Sequence, residues 1–70
     1  MTSLTKEATL AILHAYTTVN FVTLASILLR HPDFTQPLSV SQLLRDEPSL
    51  GFREVQQIVG AQALIQYVFS

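Results

Sequence analysis

Apolar side chains recur at helical spacing along most of the chain, and the recurrence breaks at a few definable places. Leu10, Ile12, Leu13, Tyr16 and Val19 give the first segment a broad apolar face, with Glu7, His14 and Thr18 on the opposite side. Ser3 and Thr5 precede it, and either offers a side-chain oxygen to the first free N–H groups of a helix. Thr17, Thr18, Val19 and Asn20 are middling helix formers in a row. One straight helix over residues 4–30 would be apolar all round and would need complete burial in an oligomer. A break near Thr18–Asn20 instead lets each half bury its own stripe. Asn20 then caps the second half, in which Phe21, Leu24, Ile27 and Leu28 face inward.

The run RHPDFTQP ends that segment, because Pro32 disfavours helix at His31 and because Asp33 and Pro37 suit a turn or loop. PLSVSQLL then carries a capping box. Ser39 stands at the N-cap with Gln42 three residues on, and Leu38 and Leu43 form the matching hydrophobic staple. This short helix stops by Pro48, with Asp46 and Glu47 unfavourably placed for its dipole and exposed to solvent in the turn that follows. A last segment opens near Leu50 or Gly51. At about 100° per residue, Phe52, Val55, Ile58 and Val59 share one side and Arg53, Gln56, Gln57 and Gly60 the other. Beyond Gly60 the apolar side moves: Gln62 and Gln66 take the formerly apolar positions, and Leu64, Ile65, Val68 and Phe69 point elsewhere. Three readings account for this: a kink at Gly60, a straight helix whose second face packs on another chain, or a strand over LIQYVF. Ala61, Gln62, Ala63 and Leu64 are good helix formers, which favours helix for the tail.

Composition sharpens the picture. The chain has 70 residues, enough for one domain and marginal as a self-sufficient core. Hydrophobic residues make up 49% and charged residues 13%, an apolar excess that points to self-association or a partner surface. With no cysteine, disulfides and thiolate metal sites are excluded. Residues 8–29 carry no charge, yet His14, Thr17, Thr18 and Asn20 lie mid-run and no basic cluster flanks it. A buried hairpin is therefore expected rather than a membrane span, and the absence of a basic n-region argues against a signal peptide. A cytoplasmic location is expected.

Candidate chemistry is sparse. His14 and His31 are far apart and have no acidic cluster around them, so neither a metal nor another cofactor is expected. The carboxylates Glu7, Asp33, Asp46, Glu47 and Glu54 form no pair in a cleft, the two glycines form no phosphate loop, and no nucleophile motif is present. An enzyme is not expected. The rhythm of SVSQLLRDEPSLGFREVQQIV, two short helices around a glycine-containing turn, fits a helix-turn-helix unit. It would present Arg53, Gln56 and Gln57 to base edges and Arg45 to phosphate, and a strand at ALIQYV would make it a winged variant. Net charge is −1 with only four basic residues, which leaves little for phosphate neutralisation. Gln56 and Gln57 read more simply as the wet face of an amphipathic helix. The expectation is a single all-α domain over residues 1–70, a bundle of three to four short helices completed by dimerisation. It acts by protein–protein contact through Leu64, Ile65, Val68 and Phe69. A helix-turn-helix DNA-binding regulator using residues 39–60 is the alternative.

Overall fold

Local capping decides where the first two helices begin, and the computed structural model describes residues 5–31, 34 and 36–69, without the side chain of Phe69. The expectations for Ser3, Pro32 and Asp33 lie outside the described residues. α1 (Lys6–Tyr16) starts at Thr5, whose hydroxyl accepts from the Ala8 N–H at 3.1 Å. Thr9 is buried, and its hydroxyl donates back to the Thr5 carbonyl at 2.9 Å, so a polar residue sits in the core stripe with its group satisfied. Thr17 is extended (φ −132°, ψ 162°) and takes the chain out of the helix. The expected break is present: Asn20 caps α2 (Phe21–Arg30), accepting from the Val22 N–H at 2.8 Å.

Three aromatic placements differ from expectation. Phe52, which spacing puts on the apolar side with Val55, Ile58 and Val59, is 57% exposed at the first position of the last helix, before that helix reaches the core. Spacing puts Phe21 inward with Leu24, Ile27 and Leu28, but only those three are buried. Phe21 opens α2 at the edge of the bundle, half exposed, and its ring meets the exposed His14 ring edge-on at 5.4 Å and 79°. Tyr16, expected on the apolar face of α1, is largely exposed at the last position of that helix, while Leu13 is fully buried.

α3 (Val40–Asp46) starts at the expected N-cap, where Ser39 accepts from the Gln42 N–H at 3.4 Å, long for such a bond, but the return bond of the expected capping box, from the Gln42 side chain to the Ser39 N–H, is not made. Leu43 is buried and Leu38 packs against the core beside it. The Glu47 N–H closes the helix on the Leu43 carbonyl at 2.8 Å, and the Leu50 N–H returns to the Glu47 carbonyl at 3.0 Å, making the turn around Pro48. α4 (Phe52–Phe69) follows without interruption through Gly60 and over residues 64–69. The described residues form four helices and no strand.

α4 organises the domain. α1 packs on α2 and on α4, and α3 packs on α4. Its buried stripe runs Val55, Ile58, Ala61, Gln62 and Ile65, a spacing that keeps one side of a helix against the core from end to end. The buried face therefore does not move at Gly60; Gln62 lies within it. The radius of gyration is 11.0 Å, matching the ~11 Å of a compact chain of this length.

Candidate functional site

Among the described residues three features besides apolar packing carry chemistry: two glutamine tethers on α4, an ion pair at the ends of α2 and α3, and an open groove between α1 and α4.

The Gln57 side-chain oxygen accepts from both the backbone N–H and the hydroxyl of Thr18, each at 3.0 Å. It ties the α1–α2 connection to the first half of α4. This replaces the expected wet-face role for Gln57, while Gln56 is exposed as expected. Gln62 is 2% exposed and uses its whole amide. Its oxygen accepts from the Leu38 N–H at 2.9 Å, and its nitrogen donates to the Phe34 and Gln36 carbonyls, the latter at 2.7 Å. The segment before α3 thus lies against α4 with its backbone groups met by one side chain, the condition under which a buried amide is tolerated.

Glu47 also departs from its expected solvated position. Its side chain is 5% exposed and accepts from Arg30 at 2.6 Å. Arg30 donates as well to the Asp46 carbonyl at 3.2 Å, where α3 ends. A cation at the carbonyl end of a helix is favourable, and here it also neutralises a buried carboxylate. His31 ends α2 as expected, with Nε2 3.8 Å from the Asp46 carboxylate.

The groove is mainly apolar and no charged side chain lines it. Ile12 and Tyr16 of α1 line one wall and Leu64, Ile65 and Val68 of α4 the other, enclosing about 280 Å³. Because Thr18 meets Gln57 while Ile12 and Tyr16 meet Leu64–Val68, α1 runs antiparallel to the second half of α4. Of the four residues assigned to a partner surface, Leu64 (42%) and Val68 (60%) are exposed on its lip. Ile65 lies in the core at its floor, and the Phe69 side chain is outside the described residues. Tyr16 was not assigned to this surface, although its place on the same side of α1 as Ile12 was readable from spacing.

The residues of the nucleic-acid alternative are split. Arg45, Arg53 and Gln56 are exposed on α3 and the first half of α4, whereas Gln57 is held by Thr18. Among the described residues no group of three His, Asp or Glu side chains could hold a metal, and no helix is long and apolar enough to cross a membrane. Compared with protein-family models, curated proteins and solved structures, the chain matches none.

Proposed function

We propose that the chain is a non-enzymatic protein–protein interaction module that docks an apolar, uncharged surface of its partner into the groove between α1 and the second half of α4. The observation that supports this is the lining of the groove: two exposed lips, a closed apolar floor, and no charged residue anywhere in α4 after Glu54. A pocket for a small molecule generally encloses about 300–1,000 Å³ and carries a few placed polar groups. At about 280 Å³ this groove lies at the small end of that range, and its five lining side chains offer one hydroxyl and no charge, which suits protruding side chains of a protein better. Site-specific photocrosslinking in cells tests the reading. A benzoyl-phenylalanine at position 68 is expected to give a discrete protein adduct, and one at the exposed position 29 on α2 none. No discrete adduct at 68 refutes it.

DNA binding through α3 and α4 is the second reading, supported by the exposure of Arg45, Arg53 and Gln56 along one unit. Phosphate contacts supply most of such affinity, and Arg30 is already engaged with Glu47. Duplex binding at low salt that is lost on Gln56→Glu would place this reading first.

A further inference from the structure

We infer that the occupant of the α1–α4 groove is the same face of a second copy of this chain, forming a two-fold dimer in which the lips of each groove enter the other. The inference rests on the interaction reading above and narrows it to one partner.

The chain carries both halves of the fit. A helix that docks in an apolar groove presents anchors at i and i+4, and Leu64 and Val68 are such a pair, exposed beside the groove they line. A two-fold axis places the same patch on both sides of the contact, so a ridge adjoining a groove can fill its own symmetry mate. Charge selects in the same direction. No charged side chain lines the groove, so a charged partner surface would bury its ions without a counter-charge. The matching uncharged surface is the one this chain itself presents.

Area is consistent with a stable dimer. A specific interface needs about 800 Å² per partner, of which roughly 65% is apolar in homodimers. Tyr16, which lines the groove, and Tyr67, which lies outside its lining but one helical turn from Leu64 on the exposed side of α4, are 61% and 83% exposed, leaving about 290 Å² at roughly 200 Å² per ring. Leu64 and Val68 add about 100 Å². Four side chains thus supply most of the apolar part, with Ile12 and the small Ala63 beside them.

Sedimentation velocity between 1 and 100 µM, with circular dichroism on each sample, tests the dimer. The wild type is expected at twice 7.8 kDa in the upper part of that range. Val68→Glu is expected to be a monomer with unchanged helicity, and Leu29→Glu, which alters an exposed position on α2, a dimer. A monomeric wild type at 100 µM, or a Val68→Glu protein that still dimerises, overturns the inference. If Val68→Glu loses helicity, Leu64→Gln is read instead: a dissociation constant raised at least tenfold supports the dimer, and an unchanged one overturns it. A crosslink from position 68 to a different protein, with a monomeric wild type, overturns the second copy while leaving the interaction reading intact.

Discussion

Replacing Gln62 tests the account of α4 most directly, because a single side chain there meets three backbone groups of the segment before α3. Gln62→Met keeps the length and the apolar contact but removes the amide. The Leu38 N–H and the Phe34 and Gln36 carbonyls then lose their partner. A neutral hydrogen bond contributes about 1 kcal/mol net, and a buried group left unmet costs about 1–3 kcal/mol. The Phe34 bond is buried and the other two are partly buried, so water takes over some of the loss. The expected cost is about 2–4 kcal/mol, out of roughly 4–10 kcal/mol for a domain of this length. The melting midpoint should fall by roughly 10–30 °C. Gln62→Glu still accepts from Leu38 but turns a carboxylate toward two carbonyl oxygens. Burial raises the introduced carboxyl above the ordinary glutamate value of about 4.3. Its folded-state pKa then exceeds its unfolded one. The penalty is smallest below about pH 4, where the acid is neutral in both states and can donate one O–H, and it grows as pH rises until the folded acid ionises. Denaturant unfolding of wild type and both variants at pH 4.5, 6 and 8 reads this out. Gln57→Glu is the contrast: only the oxygen of Gln57 is used, so the acceptor survives and stability should stay within about 0.5 kcal/mol of wild type. A Gln62→Glu protein as stable as wild type at pH 8, or one whose pH profile matches that of Gln62→Met, refutes the reasoning.

Two further outcomes follow from the same geometry. A Cβ built on Gly60 meets nothing within 4 Å, so Gly60→Ala should add about 0.8–1 kcal/mol of helix stability and raise the thermal midpoint seen by circular dichroism; an unchanged or lower midpoint would mean that the outer side of α4 is not open there. Arg30→Met strands the buried Glu47 carboxylate and should cost about 1–3 kcal/mol, whereas Glu47→Gln keeps an acceptor for Arg30 and should cost less; chemical denaturation giving the reverse order would contradict the pairing.

Local chemistry made most of the architecture legible. Thr5, Asn20 and Ser39 cap the helices they were expected to cap, because an N-cap bond reaches only two or three residues along the chain. The turn at Pro48 and the helical tail were readable for the same reason. Contacts over tens of residues were not. Glu47 reads as a solvated turn residue until Arg30, from a different helix, is found beside it. Gln62 reads as a polar residue interrupting an apolar stripe. Its carbonyl partners lie in a loop with no periodicity to signal them, so the wheel appeared to shift its buried side. Half of the groove was legible, since Leu64 and Val68 fall outside the core stripe by spacing alone. Its other wall depended on which side of α1 meets α4.

The two glutamines explain why a helix so poor in charge holds one position. An apolar stripe made of Val55, Ile58, Ala61 and Ile65 gives non-directional burial, and sliding α4 by a turn would still place apolar groups against apolar groups. Gln57 and Gln62 remove that freedom. They stand about 7.5 Å apart along the axis at 1.5 Å per residue. One holds the α1–α2 connection and the other the segment before α3. A slide would leave Thr18, Leu38, Phe34 and Gln36 without their partners at once, a cost that burial alone would not impose. An amide suits the role at position 62 because it donates and accepts without carrying charge, whereas a lysine or glutamate would bring an ion into the core.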